Sequence, residues 1–444
     1  MTTPNISNIA LYSASRVFSN MSLVCILVFV TAFTNGENLF FNFNHVIVTF
    51  IVTCILVLLN MDKLFFHKKI LSSYFFLFIV LFVISFFASM YFGLDYTSNP
   101  NLNRYDITFD ASLRSLLFKI PMHLTLIFFI YLGIDRLSEI KRILFAFILC
   151  ALAVNIITLF LLSTGINTIE GRLASTFEDP NYLGRLEVIS IAISICYLIF
   201  KESSFNLKMI IIANMVFSFL IQVFTYSRSS VLSLVAVIIL IFYFSKSKFL
   251  KIIFTSGLIL GMVLLIPIMS SVRYGAGSDA DISFISTFLD PSNALRILLN
   301  LIALKMFVHS PFFGVGYNNF YNVMLNYSEF FPISLPLITN TVIVHSWLFT
   351  LLAEQGLLGF ISFVSLLIIS FRRLVISIKQ RISSDNLFVG VSLLSLFFIV
   401  VFNGLFFPTI IMELLFSLIC GLIGSYLKIM KINYSSTIEK LRVL

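Results

Sequence analysis

Ile143–Ser163 reads ILFAFILCALAVNIITLFLLS, an unbroken apolar run without a single charged residue, and Lys141 and Arg142 stand immediately before it. At about 1.5 Å per residue in a helix, a run of this length crosses a hydrocarbon core of roughly 30 Å. Comparable runs recur along the whole chain, at about 18–35, 43–60, 70–92, 113–133, 143–163, 186–200, 209–224, 230–245, 252–270, 345–370, 386–407 and 409–427. Backbone groups in lipid must be satisfied within their own segment, so each run is read as a helix. The fold class predicted is all-α and polytopic, about a dozen transmembrane helices forming one integral membrane domain over 1–444.

Composition agrees. The 444 residues are 59% hydrophobic and 11% charged, against roughly 25% charged in soluble domains. A soluble globular protein is excluded. Met1–Asn20 is polar, and the apolar run Met21–Phe33 lacks a small-residue cleavage pattern after it, so it reads as a retained signal anchor. All five cysteines fall inside apolar segments, which leaves no disulfide framework and no CxxC metal site.

The net charge of +9 invites a nucleic-acid reading until the charges are placed. With the N-terminus in the cytoplasm, the inner connections carry Arg16; Lys63, Lys68 and Lys69; Arg136, Lys141 and Arg142; Lys201 and Lys208; Lys246, Lys248 and Lys251; Arg372, Arg373, Lys379 and Arg381; and Lys428, Lys431, Lys440 and Arg442. Every inner connection is basic, as the positive-inside rule requires, and both termini are predicted to be cytoplasmic. The partner implied is the bilayer, not nucleic acid. Outer loops are longer, above all 271–344, and loops of such length are usually functional. Within it, Asn293–Val308 has helical periodicity broken by Arg296, Asn300 and Lys305, and reads as a helix lying at the outer interface.

The basic residues assigned to the outer face then need a reason. Arg172 opens Gly171–Gly184, which contains Glu178-Asp179-Pro180-Asn181; Arg228 lies in the tight turn Thr225–Ser230; Arg296 sits on the interfacial helix, ahead of the Pro- and Gly-bearing turn His309–Tyr317. His345-Ser346 follows, with Glu354, Gly356 and Gly359 further along. Guanidinium groups bind phosphate oxygens through paired hydrogen bonds, and can stabilise a departing diphosphate where other enzymes use metal ions. An imidazole such as His345 suits a general base near neutral pH.

Plainer readings stand beside these. Arg172 and Arg185 read equally as headgroup-facing residues, Arg228 as a structural cap, and His345 as a polar helix start. Glu178 and Asp179 could hold a metal or accept a proton, whereas Asp179-Pro180-Asn181 also reads as turn chemistry opening a helix. Lys119, inside an apolar run near Pro121 and His123, either faces a cavity or snorkels outward, and Glu413 could be a similar cavity residue. Glu354 is either a structural partner or a proton-transfer aid. Gly356 and Gly359 are expected to permit close helix packing. No cofactor and no metal cluster is predicted.

The order of these pieces resembles the O-antigen ligase-related family, which includes O-antigen ligases and Wzy-type polysaccharide polymerases. The matching residues are Gly171-Arg172 with Phe177–Asn181, Ser227-Arg228, Arg296 ahead of Pro311–Gly316, and His345-Ser346 followed after nine residues by Gly356 and after two more by Gly359. The chain departs from an Arg-x10-Gly loop pattern, since Gly184 follows Arg172 after eleven residues. The resemblance implies a GT-C-like helical fold in the bacterial inner membrane. It also implies inverting, metal-independent transfer of an undecaprenyl-diphosphate-linked glycan at the periplasmic face. By motif position Arg228 and Arg296 would hold the diphosphate and His345 would activate the acceptor hydroxyl, with Arg172 a further substrate-binding candidate. The Glu-Asp-Pro-Asn loop leans towards a polymerase, with a chain-length regulator as a further partner; the His-Ser signature leans towards a ligase acting on lipid A–core. A lipid-linked glycan transporter would share the helices, but would place its charges near the midplane.

Overall fold

A computed structural model describes residues 20–29, 45–66, 80–81, 83–85, 87–89, 91, 120–163, 168–169, 172–173, 175, 177, 179–201, 204–245, 291–317, 319–327, 344, 346–380, 383–405 and 410–443. The helices are α1 (Asn20–Phe29), α2 (His45–Phe66), α3 (Ile120–Gly133), α4 (Leu137–Ser163), α5 (Pro180–Phe200), α6 (Phe205–Phe224), α7 (Arg228–Phe244), α8 (Pro291–His309), α9 (Phe320–Val323), α10 (Trp347–Lys379), α11 (Ser384–Gly404) and α12 (Ile410–Val443). Residues 80–91 are helical wherever described. Two short strands, β1 (Thr168–Ile169) and β2 (Arg172–Leu173), pair antiparallel between α4 and α5.

Among the described residues six helices are long and apolar enough to cross a membrane: α4, α5, α6, α10, α11 and the Glu413–Lys431 part of α12. The chain is a multi-pass helical membrane protein. Shorter apolar helices stand at Asn20–Phe29, Val48–Asn60, Pro121–Gly133 and Arg228–Phe244, each where the sequence predicts a crossing, and the crossing expected at 252–270 lies outside the described residues. Ile156, Phe160, Phe217 and Leu220 are exposed on α4 and α6, a surface suited to lipid rather than water.

Helices α5 and α11 form the centre, packed against each other and each against α7. They run antiparallel, because Tyr197 near the end of α5 meets Phe388 at the start of α11 with ring centroids 5.3 Å apart. The basic residues collect accordingly. Lys141 at the start of α4 pairs with Asp385 at 2.6 Å, Lys428 on α12 pairs with Asp135 at 2.9 Å, and Lys201 lies over the Tyr197 ring. Asn20 joins this end by donating to Gly133 O at 3.2 Å and exchanging amide hydrogen bonds with Asn60. Three of the connections predicted to face inwards thus share one basic end of the bundle, with the start of α1 beside them.

Polar side chains tie the helices together where hydrocarbon surrounds them. Between α4, α5 and α6, Asn155 Nδ2 donates to Ser218 Oγ at 3.1 Å and Asn214 Nδ2 to Ser190 Oγ at 2.8 Å, all fully buried. Such interhelical bonds are worth about 0.6 kcal/mol on average, up to roughly 2. Their value lies in fixing which faces meet.

Candidate anion-binding site

At the end opposite the basic one, the first turns of α5 and α7 meet. Asp179 opens α5 as its N-cap: its Oδ1 accepts from Asn181 N at 2.7 Å and Asn181 Nδ2 at 2.8 Å, and Pro180 fills the first helical position. Proline suits that position because its missing N–H would have been unsatisfied anyway. Of the two sequence readings of Asp179-Pro180-Asn181, the turn reading is the one observed. Asn181 then reaches across to the other helix, its Oδ1 accepting from Ser227 Oγ at 2.8 Å.

Ser227 is the N-cap position of α7, and Arg228 is that helix's first residue. The preceding turn is tight, with Tyr226 at φ 49°. Gly184 makes the approach possible: a Cβ there would stand 2.9 Å from Ser230 Oγ and 3.1 Å from Gln222 Oε1. Two helix N-termini, each carrying roughly half a positive charge, are thereby joined with half-buried Arg228 beside them.

One turn into α5, Arg185 is only 2% exposed. The headgroup-facing alternative is therefore wrong for Arg185. Its guanidinium carbon lies 5.6 Å from the centre of the Tyr182 ring. It interacts favourably with Asp179 and is close enough to Arg296, on α8, for the two cations to repel. Arg296 itself is half-buried. Arg185 and Arg296 thus add positive charge at the end of the bundle where α7 begins with Arg228.

Helix α8 matches the sequence expectation in extent, and its buried face (Leu299, Ile302, Ala303 and Met306) packs on α10 through a small separate core. The turn after it docks into a break in α10. At Gly356 the backbone is non-helical, with φ 62° and ψ −157°. Leu357 N and Leu358 N, which an unbroken helix would bond to Ala353 and Glu354, donate instead to Pro311 O at 2.8 Å and Phe312 O at 3.4 Å. Ala353 O and Glu354 O accept from Val315 N at 2.8 Å and Gly316 N at 3.1 Å. All four groups freed by the break are thus satisfied, as a membrane interior demands. Ser89 also donates to Glu354 O, and Ser85 Oγ to Gln355 Oε1 at 3.0 Å.

This corrects one expectation and resolves another. Gly356 serves to turn the chain rather than to pack helices, and the space beside Gly359 is taken by the Gln355 side chain of the same helix. Glu354 is 7% exposed and its Oε1 accepts from Phe320 N at 3.2 Å, capping the short helix α9, which is the structural alternative. On the far side, Trp347 at the start of α10 lies against Gly404 and against Phe416, at 5.6 Å between rings, so α10 begins at the same end as the arginines. Glu413 approaches His123 at 3.9 Å there, and Ser417 Oγ lies 3.1 Å from His123 Nδ1.

His345, Lys119 and Glu178 lie outside the described residues, and Arg172 is placed by its backbone in β2. Among the described residues there is no group of three or more His, Cys, Asp or Glu able to hold a metal.

Multiple membrane helices, with an electropositive cluster at the end opposite the basic connections, define a polytopic membrane protein with a candidate anion site. Residues 213–364 match the protein-family model described as O-Antigen ligase, so this stretch is similar to that family. The match spans Arg228, Arg296, the Pro311–Gly316 turn, His345 and Gly356, and leaves Arg172 and Arg185 outside it. Comparison with curated proteins finds no match.

Proposed function

We propose that the chain transfers a glycan from an undecaprenyl-diphosphate-linked donor to an acceptor sugar hydroxyl, at the periplasmic face of a bacterial inner membrane. The observation that carries this reading is the Ser227–Asn181 bond, which joins two helix N-termini beside Arg228. The family match over 213–364 supplies the chemistry to test there.

In the reaction the acceptor oxygen attacks the sugar's anomeric carbon as the bond to the diphosphate oxygen breaks. A direct displacement inverts the configuration at that carbon. The hydroxyl proton passes to His345, and the negative charge accumulating on the diphosphate falls to Arg228 and Arg296. Contacts that strengthen as this charge develops lower the barrier, and guanidinium groups do so without a metal ion. Arg172, in the hairpin ahead of α5, is a further contact to the donor. Both termini lie in the cytoplasm in this arrangement, and the whole chain acts as one integral domain with 271–344 as its outer loop.

For the acceptor, the reading placed first is a second lipid-linked glycan, which makes the chain a polysaccharide polymerase. The description of the matched family, O-Antigen ligase, favours the second reading, transfer to lipid A–core. Purified protein given lipid-linked repeat units, with and without lipid A–core and in excess EDTA, tests both. Product lengthening without lipid A–core identifies a polymerase, and product only with it identifies a ligase. No transfer in either arm by folded protein rejects the reading, and activity that needs Mg²⁺ or Mn²⁺ rejects metal independence.

A further inference from the structure

We propose that Glu187 and the side chains around it form a binding site for an alkali-metal cation inside the helix bundle. This site and the transfer reading do not depend on each other. Glu187 lies two turns into α5 and is fully buried. The contacts on either side of it fix where its carboxyl points. One turn earlier, a Cβ on Gly184 would meet Gln222 Oε1 at 3.1 Å. One turn later, Ser190 Oγ accepts from Asn214 Nδ2 at 2.8 Å and from Ser218 Oγ at 3.4 Å. Three residues advance a helix by about 300° and 4.5 Å, so Glu187 falls midway between those positions, both around α5 and along it. Its side chain therefore meets α6 between Ser218 and Gln222. Helix α4 closes the same space through Asn155, whose Nδ2 donates to Ser218 Oγ at 3.1 Å.

Hydrogens to satisfy a carboxylate are scarce there. Asn155 Nδ2 is engaged with Ser218, and with Asn214 Oδ1 at 3.5 Å; Asn214 Nδ2 and the Ser218 hydroxyl are both engaged with Ser190. Asn155 and Ser218 stand near enough to Glu187 to interact with it. Yet among the described residues neither Glu187 oxygen makes a well-formed hydrogen bond, and Asn155 Oδ1 makes none either. The groups with lone pairs to offer are thus oxygens, from Glu187, Asn155, Ser190 and Ser218. A buried charge needs a partner of opposite sign, and hard cations take oxygen ligands. One carboxylate among neutral amide and hydroxyl oxygens balances a single positive charge, whereas a divalent ion would leave net charge in the interior. Ser227, Ser230 and Gln222, all buried, lead from the arginine end of the bundle towards Glu187 and give the ion a polar way in. A permanently protonated Glu187, which would supply its own donor, is the alternative to exclude.

The test follows the thermal unfolding midpoint of the full-length protein in detergent, at one pH and one ionic strength, as sodium or potassium chloride replaces choline chloride. An ion bound only by the folded state stabilises it with the logarithm of its concentration once the site fills. The midpoint should therefore climb with one or both alkali ions and stay level in choline. Glu187→Gln keeps the size of the side chain, removes its charge and should abolish the climb. Asn155→Ala removes one neutral ligand and should need about tenfold more ion for the same rise. A wild-type midpoint indifferent to both ions would overturn the proposal and leave Glu187 a buried neutral acid. A climb that persists in Glu187→Gln would overturn it too, by placing the ion elsewhere. If Glu187→Gln does not fold, Asn155→Ala decides, and an ion dependence equal to wild type rejects the site.

Discussion

Gly314 and Gly356 stand at the two sides of one junction, and neither position has room for a side chain. A Cβ on Gly314 would come within 2.3 Å of the Glu354 carbonyl carbon, and one on Gly356 within 2.5 Å of that of Phe312. Both residues also hold positive φ, at 72° and 62°. The turn and the broken helix therefore specify each other, and the four backbone hydrogen bonds between them depend on both glycines.

Gly314→Ala and Gly356→Ala should each be severely destabilising. The left-handed conformation alone costs an L-residue roughly 1–2 kcal/mol, and the backbone overlap adds to it. Gly424→Ala is the comparison, because its Cβ would first meet Tyr131 Cδ2 at 3.2 Å, a contact small shifts can relieve. Thermal unfolding in detergent should show a large fall for the first two and a small one for the third. Equal midpoints for all three would contradict the junction.

Glu354→Gln retains an oxygen able to accept from Phe320 N–H, and should keep nearly wild-type stability and turnover. Glu354→Ala leaves that donor unmatched, at a cost of about 1–3 kcal/mol. Loss of turnover in a stably folded Glu354→Gln protein would instead assign the carboxylate to proton transfer.

The orientation is open to labelling. In a background without the native cysteines, Asn322→Cys should react with a membrane-impermeant thiol reagent in cells with a permeable outer envelope. Ser383→Cys, at the N-cap of α11 on the basic end, should stay protected. The reverse pattern would place the arginine cluster in the cytoplasm.

Donor binding and turnover should separate by residue. Arg228→Ala and Arg296→Ala each remove contacts worth about 1.5–3 kcal/mol, so donor affinity falls and turnover falls further. His345→Ala should leave donor affinity nearly unchanged while slowing transfer by about 10²–10⁴, the range for a lost general base. Near-normal turnover in His345→Ala would move the role of base to the Glu178-Asp179 pair.

Among the described residues hydropathy located the long apolar helices, but not all their ends. The apolar run at 186–200 misses the first turn of α5, where Asp179 and Pro180 set the start through capping rather than through apolarity. Likewise α10 continues through Arg372 and Arg373 to Lys379, because hydropathy marks what lipid requires and not where a helix ends. The break at Gly356 was not legible, since the need for positive φ arises only when the Pro311–Gly316 turn arrives. The burial of Arg185 has a similar origin. Arg185 could be read from the sequence only as an arginine near the outer end of an apolar run, whereas its surroundings depend on helices packed from more than a hundred residues away.

Trp347, held between Gly404, Phe363 and Phe416, is the only tryptophan in the sequence. It lies two residues beyond His345, so the protein carries its own optical reporter at the start of α10. Its ultraviolet emission is free of background from any second indole. A change in wavelength or intensity on adding donor or acceptor reports on this one neighbourhood, in unlabelled protein and in real time.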